Sequence, residues 1–102
     1  SRAGDQPSRV VVLRHMVRPE DVDDSLEAEV KSECSKFGSV DRVVVSHALD
    51  QATGLPCVNV YVAFVTYADA EKAVQHLDNR WFGGNIIKAA LFDEMRFQNR
   101  LF

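Results

Sequence analysis

Three consecutive residues, Arg80, Trp81 and Phe82, offer the most specific chemistry in this chain. They place one cation beside two large aromatic rings, directly before Gly83 and Gly84. Because glycine gives the backbone unusual freedom, the sequence predicts that this triplet lies on a loop. Aromatic rings and guanidinium groups bind partner side chains by stacking and by cation–π contacts. We therefore interpret the triplet as a binding element, with the filling of a core gap by Phe82 as the alternative.

A second group of candidate binding residues is acidic, and we call it the acidic flank. It comprises Asp23, Asp24, Glu29 and Glu33. Glu29 and Glu33 are four residues apart and border the apolar stripe of a predicted helix, so they face sideways toward a neighbouring loop. Their field would attract a basic ligand with strong salt sensitivity, although a solvated face is the simpler alternative. We expect Arg80 to pair with Glu29 and to hold the loop over a pocket.

Composition limits the classes of function. A chain of 102 residues, 46% of them hydrophobic, has the material for one domain with one core. A formal net charge of −3 argues against nucleic acid as the main ligand. The chain's two cysteines and three histidines lack zinc-ligand spacing, so we expect no metal and no cofactor. It contains no apolar run of membrane length, so we expect no membrane partner.

The hydrophobic pattern predicts the element order β-α-β-β-α-β, which is an α+β, ferredoxin-like sandwich. The predicted strands cover residues 10–13, 40–45, 58–65 and 86–92, and the predicted helices cover residues 23–37 and 66–77. Residues 47–56 are predicted to form a loop or hairpin turn, and residues 93–102 a short C-terminal helix. We expect a four-stranded antiparallel sheet with two helices on one face. Residues 1–8 are predicted to be a flexible leader, and residues 9–102 a single domain with a C-terminal extension from residue 93.

This element order resembles the RNA recognition motif over about residues 9–92. Residues 11–16 lie where that family has one of its two RNP motifs. Residues 57–64 lie where it has the other, a basic residue followed by glycines and aromatic rings. Residues 62–64, Val-Ala-Phe, match the buried end of this second pattern. The resemblance implies the ferredoxin-like fold that the hydrophobic pattern also predicts.

The exposed end of the RNP pattern is missing. Val12 and Asn59 stand where base-stacking rings are expected, and Cys57 stands where a basic residue is expected. Of the usual three rings only Tyr61 remains, so Tyr61 is the one candidate for a residual RNA contact. Stacking contributes about 1–3 kcal/mol per base, so these losses predict weak RNA binding at most. A C-terminal helix carrying Phe97 could also cover the same sheet face.

Degenerate RNP motifs, an acidic first helix and an Arg-x-Phe triplet after the second helix characterise the U2AF homology motif. This chain resembles that subclass of the RNA recognition motif, which is found in nuclear pre-mRNA splicing factors. The resemblance implies binding of short disordered peptides in which Lys and Arg residues precede a tryptophan. Phe82 would stack on the peptide's indole, and Trp81 would touch the peptide's flank.

The same resemblance implies which partners supply such peptides. They are a scaffold subunit of the branch-site snRNP, the large subunit of the splicing auxiliary factor, and the branch-point-binding protein. The implied role is 3′ splice-site recognition or alternative splicing. Homodimerisation and the function of the C-terminal segment are left open by the sequence.

Peptide binding has two alternatives. The first is weak binding of pyrimidine-rich single-stranded RNA, by this domain or by other domains of the full protein. The second is catalysis, because small acyl-phosphate hydrolases share the predicted architecture. Such enzymes need a glycine-rich, phosphate-binding loop that holds an arginine, and residues 14–18 contain no glycine. No nucleophile–base pair or carboxylate dyad stands out either, so we expect no enzymatic activity.

Overall fold

A four-stranded antiparallel sheet forms the central layer of the computed structural model, which describes residues 6–102. In chain order the elements are β1 (Val10–Arg14), a 3-10 turn (Pro19–Asp21), α1 (Leu26–Cys34), β2 (Val40–Leu49), β3 (Pro56–Phe64), α2 (Tyr67–Leu77), β4 (Trp81–Phe82), β5 (Asn85–Ile86), β6 (Lys88–Phe92) and α3 (Glu94–Gln98). The sheet has the spatial order β2-β3-β1-β6, and β4 and β5 form a separate hairpin. The predicted β-α-β-β-α-β sandwich is confirmed.

The side chains of β3 alternate between two apolar clusters, one on each face of the sheet. Val58, Val60, Val62 and Phe64 point to the main core with α1 and α2, where Leu26, Val30 and Leu77 are also buried. Tyr61 and Ala63 point to the opposite side, which we call the outer face of the sheet. Side chains alternate between the faces of a strand, so this β-branched run supplies both layers of the core.

The C-terminal segment, residues 93–102, is called the tail, and it covers part of the outer face. Phe102 stacks on Tyr61 with 4.6 Å between ring centroids, and Phe97 lies 6.1 Å from the same ring. Tyr61 and Phe97 are only 1% and 5% exposed. The expectation that Phe97 covers this face is therefore confirmed.

A tether links the tail to the start of β1. Glu94 accepts hydrogen bonds from the Arg9 backbone N–H at 2.9 Å and from its Nη2 at 2.7 Å. The Arg9 hydrogen bond lowers the pKa of Glu94, with the opposing cost of burial outweighed. Because the pKa of Glu94 is lowered, this tether contributes its full stability at pH values above the ordinary carboxyl pKa of about 4. The contribution is lost as pH falls through the lowered pKa.

The first helix is shorter than predicted. Its regular part covers Leu26–Cys34 rather than residues 23–37. At the N-terminus the Asp23 carboxylate accepts from the Ser25 backbone N–H, which forms a local turn. At the C-terminus Phe37 N–H donates to Cys34 O, an i→i+3 bond that tightens the last turn. Such local hydrogen bonds compete with the helix at each end, and a hydrophobic pattern does not reveal them.

The β2–β3 hairpin is longer than predicted. Residues 47–49 and 56, predicted to be loop, belong to paired strands, and only residues 50–55 form the turn. Asp50 closes the turn by accepting from the backbone N–H groups of Ala52 and Thr53, and Gly54 has φ +71°. Cross-strand pairing extends these strands beyond the hydrophobic run that predicted them.

Ser8 is the last residue of the predicted leader, residues 1–8, and it is buried in the structure. Ser8 is 4% exposed, and its hydroxyl donates to the Phe92 carbonyl and accepts from Val10 N–H. Ser8 therefore packs against the folded domain. Residues 1–5 lie outside the described residues.

We expect Phe97→Ala to lower the free energy of unfolding by about 3 kcal/mol, because it removes a buried ring and leaves a cavity. Urea denaturation measures this change. Met95→Ala is the matched control, because Met95 lies on the same helix and is 70% exposed. That variant should stay within about 0.5 kcal/mol of the wild type. Equal stabilities for the two variants would show that the tail does not pack on the sheet.

Candidate peptide-binding site

The triplet Arg80–Trp81–Phe82, which was predicted to lie on a loop, lies at a short β-hairpin. Strands β4 and β5 pair antiparallel, with Trp81 opposite Ile86. Gly83 and Gly84 form the turn with φ values of +56° and +86°. Two consecutive positive φ angles suit the tight turns that match strand twist, and glycine adopts them without steric cost. The glycines identified in the sequence thus serve a hairpin.

Alternation along β4 sends the two rings to different sides. Phe82 is partly buried and packs against the main core. Trp81 is 67% exposed and lies opposite Ile86, which is 42% exposed. The ring of residue 82 is therefore neither fully buried nor freely solvated, whereas the ring of residue 81 is open to solvent.

Ile87 fixes this hairpin to the sandwich. Its N–H donates to the Arg80 carbonyl at 2.9 Å, and its carbonyl accepts from Asn79 N–H at 2.8 Å. Its side chain is 2% exposed. Ile87 also divides the strand predicted at residues 86–92 into β5 and β6, which corrects that prediction. The division turns the hairpin out of the sheet and toward α1.

An apolar cavity lies where the hairpin meets α1. Its lining consists mainly of Leu13, Met16, Val30, Leu77, Phe82 and Ile87, with Glu33, Cys34 and Arg80 completing it. Its volume is about 20 Å³, which is room for roughly one water molecule. The Asn85 side chain donates to the Met16 carbonyl at 3.3 Å and links the hairpin to the segment after β1. An indole ring could enter only if Phe82 or the hairpin moved outward.

Arg80 bridges the hairpin to α1 through Glu33. Its Nη2 lies 3.1 Å from Glu33 Oε1, and Lys36 Nζ lies 3.0 Å from Glu33 Oε2. The hydrogen bond from Lys36 lowers the pKa of Glu33 despite partial desolvation, and Arg80 adds to the effect. The expected Arg80–Glu29 pair is wrong, because the Arg80 guanidinium pairs with Glu33 instead, while Glu29 lies beside the Ser25 hydroxyl. Glu33 lies one helical turn further along α1, at the end that the hairpin reaches.

The remaining residues of the acidic flank lie near the start of α1. Asp23, Asp24 and Glu29 do not line the cavity. A hydrogen bond from the Ser25 hydroxyl, supported by the Ser25 backbone N–H, lowers the pKa of Asp23. This end of the flank therefore makes no contact with the cavity walls. Trp81 also lies outside the cavity lining.

Tyr61, the candidate for a residual RNA contact, is covered by the tail. It is 1% exposed beneath Phe102, with Phe92 packed edge-on at 4.8 Å between centroids. The tail thus occupies the surface that a base would need.

The sequence reasoning did not identify the floor of the cavity. Met16 and Ile87 are buried. Leu13 lies on a strand whose apolar sequence predicts a core position and gives no sign of a cavity. Val30 and Leu77 were predicted to face inward, but periodicity does not tell a closed core from a cavity wall. Burial also raises the pKa of the Cys34 thiol to about 11, so the thiol stays protonated at neutral pH.

Residues 6–102 hold no group of three or more His, Cys, Asp or Glu side chains arranged for a metal ion. Within the same range, no helix has the length and apolar character needed to cross a bilayer.

Comparison with known proteins identifies the fold family. The family model of the RNA recognition motif matches residues 20–88, more than half of the chain. This chain belongs to the RNA recognition motif family. The solved structure of the RNA15 RRM has the same fold, with a TM-score of 0.66 at 22% identity over 91% of this chain and 99% of that one.

Curated relatives are similar over almost the whole chain. Poly(U)-binding-splicing factor PUF60 of Mus musculus is 43% identical over 92% of this chain and 17% of its own length. Poly(U)-binding-splicing factor hfp of Drosophila melanogaster is 41% identical over 85% of this chain and 14% of its own length. The chain therefore spans less than a fifth of these relatives. Residues 13–17, 33–38 and 79–84 resemble poly(U)-binding splicing factor in sequence, and the match to PUF60 confirms this resemblance.

We expect a double-mutant cycle to distinguish the two glutamates as partners of Arg80. Arg80→Gln and Glu33→Gln should couple by about 0.2–1 kcal/mol in unfolding free energy, the range for partly exposed ion pairs. Arg80→Gln and Glu29→Gln should be additive. The first coupling should also vanish as pH falls through the lowered pKa of Glu33, because a protonated carboxyl no longer attracts Arg80. Coupling through Glu29 instead would contradict the observed pairing.

Proposed function

We propose that this domain binds short basic peptides that carry a tryptophan, as an interaction module of a nuclear pre-mRNA splicing factor. The observation that supports this most directly is the apolar cavity walled by Phe82 and bridged by the Arg80–Glu33 pair. An apolar recess next to a charged rim suits a ligand that combines a large ring with cations.

The apolar part of such a ligand would supply most of the affinity. The peptide's indole would displace Phe82 outward and stack on its ring, and aromatic pairs add roughly 0.5–1.5 kcal/mol beyond area burial. The cavity walls would then bury the other edge of the indole. Because the cavity is nearly closed without a ligand, part of the interaction energy is needed to open it. We expect the hairpin to move when the cavity opens, because its two paired strands and the Gly83–Gly84 turn can shift together as one unit.

The charged part of the ligand would be recognised by the acidic flank. Lys and Arg residues before the tryptophan would lie along α1, near Glu29 and the aspartates at its start. These carboxylates are exposed, so they contribute more to association rate and orientation than to affinity. Glu33 already pairs with two cations of the chain itself, so an incoming cation would compete with them.

A role in splicing is supported by the relatives, two of which are named as poly(U)-binding splicing factors. We infer that the peptides come from other splicing factors that act at the 3′ splice site. The branch-site snRNP scaffold, the auxiliary-factor large subunit and the branch-point-binding protein are the candidates that the family resemblance implies. We propose no catalytic activity.

RNA binding is the second candidate, favoured by family membership and by the relatives' names. The outer face offers little support for it, because Tyr61 is buried and Val12 is 1% exposed beneath the same tail. Titrating labelled oligo-uridine and a labelled tryptophan-containing basic peptide in parallel separates the two functions. Saturable RNA binding without peptide binding would replace our proposal with the second candidate.

The primary test is a chemical-shift map of the domain with that peptide. Shifts should concentrate at residues 80–84 and along α1, with Ile87 as a buried reporter of cavity opening. A peptide with tryptophan replaced by alanine is the matched control and should produce only weak, salt-sensitive shifts. Shifts confined to the outer face of the sheet would contradict the proposed site.

We expect Phe82→Ala to lower affinity for the peptide at least about tenfold, which corresponds to roughly 1.4 kcal/mol. The ring is lost from the stack while the fold should persist, because Phe82 lies at the edge of the core. Isothermal titration calorimetry measures affinity, and circular dichroism checks folding. Met95→Ala, on the far side of the sheet, should bind as the wild type does. If Phe82→Ala unfolds the domain and the folded remainder binds normally, Phe82 is a core residue and not a binding residue.

We expect Lys36→Gln to raise affinity for the basic peptide about twofold to threefold, within the energy of a surface ion pair. The substitution removes a cation that occupies Glu33 and so frees carboxylate charge for the ligand. Lys31→Gln is the matched control, because it makes the same charge change on the side of α1 that lies opposite Glu33. Glu33→Lys should weaken binding and flatten its salt dependence. Equal effects for the two lysines would indicate long-range charge rather than competition at Glu33.

A further inference from the structure

The outer face of the sheet has a covered half and an open half. The tail packs over Val10, Val12 and Tyr61. Beyond it, Arg14 on β1 lies between Asn59 on β3 and Lys88 on β6. Arg14 and Lys88 are exposed, so this end of the face remains open and positively charged.

A groove of about 720 Å³ extends over this open half. It runs between the segment after β1, the β2–β3 turn and the tail. Arg14, Arg18 and Arg96 line it together with His15, while Asp50 is its only carboxylate among the described residues. The groove is thus basic, although the chain as a whole carries a net charge of −3.

Two of these arginines keep hydrogen-bonding capacity for a ligand. No carboxylate among residues 6–102 forms an ion pair with Arg14, whereas Arg18 pairs with Asp21 at 2.9 Å. Arg96 donates from Nε to the Leu101 carbonyl and lies over the Phe92 ring, with no ion pair in the described part of the chain. A guanidinium has five N–H donors, so both groups can still bind an anion.

The apolar part of the groove is aliphatic. Leu49, directly before the β2–β3 turn, and Leu55, the last residue of that turn, are 67% and 63% exposed. Among the aromatic rings of the lining, Tyr61 and Phe92 are only 1% and 9% exposed, and Phe102, which stacks on Tyr61, is partly exposed. Binding of single-stranded nucleic acid depends on exposed rings for base stacking, whereas leucines suit aliphatic side chains. The surface therefore favours a peptide over RNA.

We propose that this groove binds an acidic linear peptide segment that carries aliphatic side chains. Its carboxylates pair with Arg14 and Arg96, and its aliphatic side chains pack on Leu49 and Leu55. This surface is separate from the cavity at Phe82 and has the opposite charge preference. The domain then has two peptide sites on different faces, one for a basic segment and one for an acidic segment, and can hold two partners together.

The test is a selection from a phage library of random linear peptides on the intact domain. Counter-selection uses the variant Arg14→Glu/Leu55→Ser, which alters only the groove. We expect the surviving peptides to be acidic and leucine-rich, and to bind Arg14→Glu at least about fivefold more weakly than the wild type. Lys72→Glu makes the same charge change on the exposed side of α2, far from the groove, and should bind as the wild type does.

Binding in the groove can be distinguished experimentally from binding at the basic-peptide site. Phe82→Ala should leave binding of the acidic peptides unchanged, and their chemical shifts should fall on residues 14–18 and 48–59. The proposal is overturned if no peptide survives the counter-selection, if the survivors are neutral or basic, or if Arg14→Glu and Lys72→Glu behave alike. It is also overturned if oligo-uridine binds this groove and is displaced by none of the selected peptides.

Discussion

The burial of both faces of β1 and β3 is the constraint on which this domain depends. Val60 and Val62 face the helices, while Tyr61 between them faces the tail. A sheet with only one covered face would leave Val10, Val12 and Tyr61 against water. Burying that apolar surface stabilises the fold by about 25 cal/mol per Å², and the short tail supplies the cover. The aromatic contacts of Phe97 and Phe102 follow from this requirement.

Closing the outer face also changes what the fold can bind. In the RNA recognition motif family the exposed sheet presents rings to nucleotide bases. In this chain the one ring kept at those positions, Tyr61, became part of a core. The accessible features that remain are the hairpin with its cavity against α1, and the open basic end of the sheet. We propose that both bind side chains of another protein rather than stacked bases.

The candidate site combines weak charge pairs with a small apolar recess. Arg80 and Glu33 are 47% and 29% exposed, so their ion pair contributes little net stability. It links the hairpin to α1 beside the cavity that Phe82 lines. A pair of this strength can be exchanged for ligand contacts at low cost. The nearly closed cavity is therefore compatible with binding that opens it.

The sequence by itself determined the element order, the inward faces of β3 and α2, and the residue types of the candidate site. Those properties depend on local periodicity, on turn residues and on which side chains carry charge or rings. The tertiary structure decided that Arg80 pairs with Glu33 rather than Glu29, that the triplet lies on a hairpin, and that Met16 and Ile87 wall the cavity. These outcomes depend on where one element crosses another, and small shifts in crossing angle move a contact by a full helical turn. A sequence pattern does not give the distances between elements, so only the packing of the folded chain determines these contacts.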